Sequence, residues 1–475
     1  MDALTRLLEA AAGWLWNWPV VALCLGAGVV FTAVTRLVQA RGFAHALGLL
    51  AGRHDRPDDP GHLTHLQALS AAVAGTVGLG NIAGVAVAVT VGGPGALFWM
   101  WVVGLLGMAT KFAEVTLGTH YRVRDERGVY RGGAIYTITR GLPERWPALA
   151  PLARPLALVF ASACAVATLG AGNMFQARSV AELLRDHHGV PPLLTGVVLA
   201  AGAGAVILGG IGRIGRVAAT LVPFMCGAYV LVALGICVAN AGAVPAALGT
   251  ILRDAFTGEA AAGGAVWAVI VTGVRRAVFS SEAGLGTAPM AHATARTAEP
   301  VRQGLVGLLE PLLDTVVVCS ATGLVIVLSG QRPLDGALEG VTLTARAFGE
   351  FVPGFGRWAL APAVALFAFS TLVTWSFYGE TACAHLLGAR AVRPYRVVFI
   401  AAVVLGATRD LAPILAFADL TFGVMVIPNL VVVLLLTGKV RALTADYFAR
   451  RQPAGSTPAA AAPGPSPTAS TGRRA

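Results

Sequence analysis

The stretch from Gly75 to Gly84 carries four glycines and one asparagine inside an apolar segment at residues 66–92. Glycine weakens a helix, and a break frees backbone N–H and C=O groups that need partners in hydrocarbon. The amide end of a half-helix suits a carboxylate, and the carbonyl end suits a small cation. Asn81 adds a side-chain amide, so we expect a binding site here. The alternative is that the glycines only permit close helix packing.

A second polar and glycine-rich stretch interrupts the apolar segment at 264–294. It reads Phe279-Ser-Ser-Glu-Ala-Gly-Leu-Gly-Thr-Ala-Pro289. Helices broken at matching places in two halves of a chain are typical of secondary transporters, which bind substrates and ions at such breaks. The pair of breaks therefore favours a transporter over a simple packing motif.

Glu282 lies in this second stretch, and an ionisable side chain near mid-membrane is costly unless it is paired or wet. Arg275 and Arg276 are candidate partners for Glu282. Glu310 and Asp314 are candidate partners for those arginines. Such a network can serve as a gate or an ion site, or it can be a structural ion pair, and both interpretations stay open.

The segment at 156–182 contains two side-chain amides. Asn173 and Gln176 are three residues apart, so we expect both amides on one helix face. Buried amides require partners, which a polar cavity or a neighbouring helix can supply. Arg178 follows near the end of the segment, where snorkelling explains it.

Hydroxyl groups cluster in the segment at 360–387. Ser370 or Thr371, together with Thr374, fall on one helical stripe, and such oxygens suit Na⁺. Their hydrogen bonding to the preceding turn is the alternative. Trp375 is too central for an interfacial role, so it either walls a small pocket or packs in the core.

Long apolar segments must position these residues. The chain of 475 residues is 56% hydrophobic and 12% charged, with a mean hydropathy of +0.72, which excludes an ordinary soluble domain. It predicts an all-α polytopic membrane protein of about 11 transmembrane helices. The predicted spans are 14–37, 66–92, 95–119, 156–182, 193–212, 217–242, 264–294, 303–329, 360–387, 394–408 and 413–437.

The two breaks fall in the second and seventh of these spans. The second break lies five spans after the first, and an odd number of spans per repeat inverts the second repeat relative to the first. This predicts a five-plus-five inverted repeat with one extra N-terminal helix. The predicted division is 1–60 for the extra helix and a basic cytoplasmic loop, 61–242 and 243–440 for the two repeats, and 441–475 for a disordered cytoplasmic tail.

The formal net charge of +11 is spread over several loops on one side of the predicted spans. This distribution argues against a nucleic-acid partner and places the N-terminus outside and the C-terminus in the cytoplasm. The six cysteines lie singly, which suggests neither disulfides nor a metal centre. Walker A, GxSxG and HExxH patterns are absent, so we expect neither an enzyme nor an ATP-driven transporter.

Several spaced strings together resemble the alanine or glycine:cation symporter family. They are Thr76-Val-Gly-Leu-Gly-Asn-Ile-Ala-Gly-Val85, Gly92-Gly-Pro-Gly-Ala96, Arg131-Gly-Gly-Ala-Ile135, Gly172-Asn-Met-Phe-Gln-Ala177, Phe279-Ser-Ser-Glu-Ala-Gly284, Ala288-Pro-Met-Ala-His292, Trp375-Ser-Phe-Tyr-Gly-Glu380 and Pro428-Asn429. The resemblance covers residues 60 to 440. It implies a leucine-transporter-like fold and Na⁺-coupled import of alanine or glycine across a bacterial inner membrane. Proton or weak coupling, a non-transporting sensor and a channel are the alternatives.

The resemblance also implies roles for individual residues. The implied substrate-binding residues are Gly78, Gly80, Asn81, Gln176, Phe279, Ser280, Ser281, Thr371 and Trp375, with the glycine backbone receiving the carboxylate. The implied Na⁺ ligands are Ser370, Thr371 and Thr374, with carbonyls near Gly75 and Thr76. No organic cofactor is expected, and the expected partners are a small amino acid and membrane lipid, with the protein a monomer.

Three positions depart from the family's usual residues. Leu79 replaces a threonine, and Ser281 and Arg178 each replace an asparagine. These changes predict weakened or altered ion coupling, with one sodium site lost. The alternative is that backbone carbonyls coordinate the ion, which leaves these side chains free to vary.

Overall fold

The computed structural model describes residues 3–54, 56, 58–258, 265–331 and 340–451. Their regular structure is helical apart from a small antiparallel hairpin of β1 (Val123–Arg124) and β2 (Tyr130–Arg131). The helices up to the second break are α1 (Ala3–Trp16), α2 (Pro19–Val34), α3 (Val38–Arg41), α4 (Phe43–Leu50), α5 (His65–Thr76), α6 (Val85–Gly92), α7 (Ala96–His120), α8 (Ala134–Tyr136), α9 (Leu142–Arg145), α10 (Ala150–Leu169), α11 (Phe175–His188), α12 (Pro192–Ile207), α13 (Gly210–Ala239), α14 (Val244–Thr257) and α15 (Val266–Ser281).

The remaining helices follow the second break. They are α16 (Ala288–His292), α17 (Pro300–Gly307), α18 (Leu309–Pro311), α19 (Ser320–Ser329), α20 (Val341–Phe351), α21 (Ala361–Leu387), α22 (Val392–Ala407), α23 (Leu411–Leu435) and α24 (Thr437–Arg451). Short π-helical segments join or extend several helices: Gly80–Gly84, Thr137–Gly141, Gly170–Met174, Leu312–Cys319 and Gly356–Leu360. Short 3₁₀ turns lie at Pro147–Leu149 and Ala389–Ala391. Such π segments are frequent at functional sites, and three of these five border the candidate site.

Seven helices among the described residues are long and apolar enough to cross a membrane. They are Thr5–Val34, Ala96–His120, Pro147–His188, Gly210–Ala239, Pro300–Ser329, Trp358–Leu387 and Leu411–Leu435. The pair His65–Thr76 and Gly80–Gly92, bent by 50° at the break, makes an eighth. The predicted all-helical membrane architecture is confirmed.

Three of the predicted spans are helices that fall short of a full crossing. α12, α15 and α22 each have 16 residues, which is about 24 Å of helix against a hydrocarbon core of about 30 Å. α15 is short because the predicted span at 264–294 is divided between α15 and α16. Among the described residues, these three segments are too short for a full crossing by length alone, and the count of about eleven transmembrane helices stays a prediction.

Some ordered elements lie where the sequence predicted none. α14 and α20 occupy loops between predicted spans. α24 extends to Arg451, inside the predicted disordered tail at 441–475. It is ordered because Tyr447 is buried and its hydroxyl lies 2.6 Å from His45 Nε2. The rest of that tail lies outside the described residues, and the two-repeat division remains a prediction.

The bundle is apolar outside as well as inside. On α13, Phe224, Leu231 and Val238 are 67–69% exposed and recur every seven residues, so they form one outward stripe. A large exposed apolar stripe of this kind is typical of a lipid-facing helix. The two broken helices lie in the interior instead: α5 packs against α13, α16 and α21, and it is buried from Ala68 to Thr76.

A capping box fixes the start of α5. Thr64 Oγ1 accepts a hydrogen bond from the Gln67 amide at 3.2 Å, and Gln67 Oε1 accepts one from the Thr64 amide at 3.0 Å. Two orphan N–H groups of the first turn are thereby satisfied. The capping box therefore fixes where α5 begins, and the first break follows at the other end of this helix, after Thr76.

Candidate functional site

At the first break, two backbone amides donate hydrogen bonds to side-chain oxygens. α5 ends at Thr76, and helical structure resumes at Gly80. The Gly78 amide donates to Asn81 Oδ1 at 3.0 Å, and the Leu79 amide donates to Gln176 Oε1 at 3.1 Å. Both acceptors are neutral amide oxygens on buried side chains. They occupy the positions where a ligand carboxylate would bind amides at a half-helix end.

The second break is built from left-handed residues. α15 ends at Ser281, and Glu282, Gly284 and Gly286 have φ angles of +54°, +89° and +82°. Glycine adopts this region freely, whereas a glutamate there is strained. The three reversals turn the chain out of α15 and into α16, as the sequence predicted for this stretch.

Charged and amide side chains hold the far end of this second break. The Gly284 amide donates to Glu114 Oε2 at 3.1 Å. Asn429 Nδ2 donates to Glu114 Oε1 at 2.5 Å and to the Gly284 carbonyl at 2.8 Å. Both backbone groups of Gly284 are thus satisfied by side chains from α7 and α23, as burial in a membrane interior requires.

The two breaks touch each other. A Cβ atom on Gly80 would lie 3.3 Å from Phe279 Cδ1 and 3.3 Å from Ser280 Cα, so the backbones approach closely there. Asp314 joins them from the π-helical segment Leu312–Cys319: its Oδ1 accepts from Asn81 Nδ2 at 2.6 Å, and its Oδ2 accepts from Ser280 Oγ at 2.8 Å. One buried carboxylate therefore bridges the two breaks.

α21 closes another side of the site. Thr371 Oγ1 donates to the Ala74 carbonyl at 3.1 Å, and Trp375 Nε1 donates to the Gly75 carbonyl at 3.0 Å. A Cβ on Gly78 would lie only 2.3 Å from Thr371 Oγ1, so this position requires glycine. The predicted residues Gly78, Asn81, Gln176, Thr371 and Trp375 are thus brought to one region.

Aromatic rings surround this region and limit its size. Phe279 lies 5.3 Å from Phe175 and 5.2 Å from Phe422, centroid to centroid. Trp375 stacks on Phe422 at 5.5 Å with an interplanar angle of 9°. A Cβ on Gly172 would lie 2.3 Å from the Trp375 ring, so the indole packs directly on that backbone. A small ligand fits such a lining better than a large one.

The predicted cation ligands divide into two groups. Thr374 Oγ1 is buried without a hydrogen-bond partner among the described residues, and its side chain lies next to Gly75. Ser370 Oγ donates to the Phe367 carbonyl at 2.9 Å within its own helix, and Thr76 Oγ1 bonds weakly to its own preceding turn. The described residues contain no cluster of three or more His, Cys, Asp or Glu side chains that could hold a metal ion.

Two polar side chains have partners that the sequence did not single out. Asn173 Nδ2 donates to the Phe399 carbonyl on α22 at 2.6 Å, so it does not share a target with Gln176. Asn173 lies in the π-helical segment Gly170–Met174, which alters the helical spacing between the two amides. Ser281 Oγ donates to the Ala277 carbonyl at 2.8 Å, so its hydroxyl is turned back along α15.

The expected pairing of Glu282 with arginines is wrong. Arg275 and Arg276 both bind Asp419, with Arg275 Nη2 at 2.5 Å from Oδ2. Glu282 Oε2 instead accepts a hydrogen bond from Thr287. Asp419 and Asp314 were not predicted as site residues, although each is an acid inside an apolar segment, a signal that marks functional positions in membrane helices.

Other charged groups near the breaks have partners that the sequence did not predict. Glu310 binds Lys111 Nζ at 3.3 Å and His292 Nε2 at 3.2 Å. At the departure from the family pattern, Arg178 lies 3.7 Å from Glu182, one turn later on α11. Its charge is therefore paired with a carboxylate of its own helix.

The chain matches the model of the Sodium:alanine symporter family over residues 1–461. It is 42% identical to the sodium/alanine symporter AgcS of Methanococcus maripaludis, across 91% of this chain and 95% of that relative. It is 34% identical to the probable sodium/glutamine symporter GlnT of Bacillus subtilis, across 96% of this chain and 93% of that relative.

Among solved structures, MhsT in complex with L-phenylalanine has a similar fold. The TM-score is 0.55 at 12% sequence identity, and the match covers 82% of this chain and 99% of MhsT. The predicted leucine-transporter-like fold is thereby confirmed. A similar fold at 12% identity does not identify a family, but the family match over residues 1–461 does. The chain belongs to the sodium:alanine symporter family.

Proposed function

We propose that this protein imports a small neutral amino acid, alanine or glycine, together with Na⁺. The observation that carries the proposal is the state of the first break, where the Gly78 and Leu79 amides are bound by neutral oxygens of Asn81 and Gln176. A substrate carboxylate can take over these donors with stronger, charge-assisted bonds. The proposed acceptors for the substrate's ammonium group are carbonyls of the Phe279–Gly284 loop.

The pocket lining supports a small side chain. Trp375 and Phe279 wall the site, and glycine backbone fills the remaining sides. Each additional methylene group has to displace packed aromatic atoms, so larger substrates lose affinity. The relatives include a sodium/alanine symporter and a probable sodium/glutamine symporter, which differ in substrate size. The aromatic lining of this pocket favours the smaller of these two substrates.

For the coupled cation we propose the space between the end of α5 and α21. Thr374 Oγ1 supplies a hydroxyl that is free among the described residues, and the carbonyls near Gly75 and Thr76 are the neighbouring oxygens. Binding there would stabilise the contact between a broken helix and an intact one. The membrane potential would then contribute about 2.3 kcal/mol per charge per 100 mV.

The proposed orientation places the arginine-rich loops in the cytoplasm and the N-terminus outside the bacterial inner membrane. Residues 61–242 and 243–440 would form the two inverted repeats, which move around the site to expose it to each side in turn. We propose no enzymatic step and no organic cofactor, and a monomer as the working unit.

Uptake into liposomes tests the proposal. Purified protein should accumulate labelled alanine only with an inward Na⁺ gradient, and unlabelled alanine inside should accelerate entry by exchange. Accumulation that follows an imposed proton gradient instead would replace Na⁺ by H⁺ as the coupled ion. Saturable binding without exchange would indicate a sensor, and non-saturable flux would indicate a channel.

A further inference from the structure

Arg122 lies outside the candidate site and makes a set of hydrogen bonds that the proposed function does not involve. It lies two residues after the end of α7, and its guanidinium donates to four backbone carbonyls. The acceptors are Pro60 O at 2.7 Å, Ala293 O at 2.8 Å, Ala295 O at 2.7 Å and Thr297 O at 2.6 Å. The fork of N–H groups on arginine can satisfy several such acceptors at once, which a lysine ammonium cannot match in geometry.

The four carbonyls belong to the ends of the two broken helices. Pro60 lies just before α5, the first half of one broken helix. Ala293, Ala295 and Thr297 lie just after α16, the second half of the other. Arg122 therefore joins the same two helices that meet at the site, but at the end where the arginine-rich loops lie.

These two chain ends also bind each other, and we call residues 60–63 and 293–297 the seam. Leu63 and Ala295 form a parallel bridge. The His62 amide donates to the Thr294 carbonyl at 2.7 Å, and the Arg296 amide donates to the Leu63 carbonyl at 2.7 Å. Gly61 has a φ of +147°, and a Cβ there would lie 2.3 Å from the Ala295 carbonyl oxygen. The seam is therefore closed to backbone contact distance.

The hairpin of β1 and β2 holds Arg122 in position. Asp125 accepts from Arg131 Nε at 2.6 Å and from the Arg127 and Val129 amides at 2.9 Å each. Arg131 Nη1 also donates to Thr381 Oγ1 on α21 at 3.0 Å. Burial opposes ionisation of Asp125, but these hydrogen bonds outweigh it and lower its pKa. The hairpin is thereby anchored on α21, a helix outside the seam.

We propose that Arg122 is the positioning residue that keeps the site closed toward the arginine-rich face, and that the seam opens only when Arg122 releases its four carbonyls. This inference rests on the proposed transport function. All four acceptors are neutral carbonyls, which water can satisfy after release. Such bonds cost less to exchange than a buried ion pair does, so the contact is strong when made and reversible within a transport cycle.

Amide hydrogen exchange in the purified, full-length protein tests this without substrate. The Arg122→Gln variant should lower protection of the seam amides of His62, Leu63, Arg296 and Thr297 by about tenfold or more. Protection of α22, which lies away from the seam, should stay unchanged. Arg124→Gln is the matched control, because it removes the same charge from an exposed side chain whose hydrogen bond, among the described residues, goes to the Gly128 carbonyl within the hairpin.

The outcomes distinguish a role of Arg122 in closing the seam from a general role in stabilising the fold. Unchanged seam protection in Arg122→Gln, or an equal loss in Arg124→Gln, would overturn the proposal. If Arg122→Gln loses protection everywhere, Arg122→Lys decides: a local loss at the seam supports the proposal, and wild-type protection overturns it. If the wild-type protein does not transport amino acids, the proposed function is wrong. The hydrogen-exchange result would still show whether Arg122 keeps the seam closed, because that measurement does not depend on transport.

Discussion

The two breaks satisfy their freed backbone groups in different ways. At the first break, neutral amide oxygens of Asn81 and Gln176 accept from the Gly78 and Leu79 amides. At the second, the carboxylate of Glu114 accepts from the Gly284 amide, with Asn429 bound to both. A carboxylate holds an amide more strongly than a neutral oxygen does. The first break is therefore suited to exchange partners with a ligand, and the second to remain fixed.

The backbone conformations agree with this difference. The first break uses a π-helical turn at Gly80–Gly84 whose residues keep right-handed angles at both ends. The second uses left-handed angles at Glu282, Gly284 and Gly286. A right-handed turn can tighten or relax with little strain, whereas a run of left-handed residues has few alternatives. We therefore expect hydrogen-bond partners to exchange at the first break, while the part of the second break from Glu282 to Gly286 stays rigid.

The largest effect should follow removal of the exchangeable oxygens. In Asn81→Ala and Gln176→Ala, we expect uptake to be lost and alanine affinity to fall about 100-fold, because each side-chain amide, once released from the backbone, is proposed to hydrogen-bond the substrate itself. Titration calorimetry and liposome uptake measure the two quantities. Asn173→Ala is the matched control, since that amide binds Phe399 on another helix. Normal uptake by Asn81→Ala or Gln176→Ala would remove that residue from the site.

A smaller effect should follow from filling the first break. Gly78→Ala places a Cβ 2.3 Å from Thr371 Oγ1, so either α21 or the break must move. We expect alanine affinity to fall about tenfold, with the melting temperature lowered only slightly. Gly84→Ala is the control, because its Cβ would meet nothing closer than 3.9 Å. Equal behaviour of the two variants would show that the close approach at Gly78 does not matter for binding.

The fixed break predicts a separation of stability from binding. In Glu114→Gln, one acceptor oxygen becomes an NH₂ group that faces a donor, either the Gly284 amide or Asn429 Nδ2. We expect the free energy of unfolding to fall by about 1–3 kcal/mol. Alanine affinity, measured well below the new melting temperature, should change less than about threefold. A large loss of affinity at unchanged stability would mean that both breaks exchange partners with the ligand.

Sequence reasoning located both breaks, because runs of glycine inside apolar segments have a direct effect on backbone hydrogen bonding. It also selected Asn81, Gln176, Thr371 and Trp375, which the fold brings together. It missed Asp314 as the bridge between the breaks, since a contact between separate helices depends on their packing. Asn173 shows a second reason: a π-helical turn shifts the face on which a side chain lies, and composition does not reveal that turn.

The smallest expected effect concerns the seam and not the candidate site: hydrogen-exchange protection of the seam amides should depend on pH through His62. Burial lowers the pKa of His62 below its ordinary value of 6.5, and the nearby Arg124 and Arg122 lower it further, while a hydrogen bond with the Gly128 backbone and the charge of Asp125 oppose them. The neutral ring can then accept from the Tyr130 amide at 3.2 Å.

Because the closed seam favours the neutral form of His62, an open seam binds more protons. His62 therefore stabilises closure fully above pH 6.5, and this contribution is lost as the pH falls through the lowered pKa. Seam protection, corrected for intrinsic exchange, should fall a few-fold between pH 7.5 and pH values below about 6. His62→Gln should flatten this dependence, whereas His54→Gln should not, because His54 lies outside the seam. A pH dependence that survives in His62→Gln would assign the titration to a group other than His62.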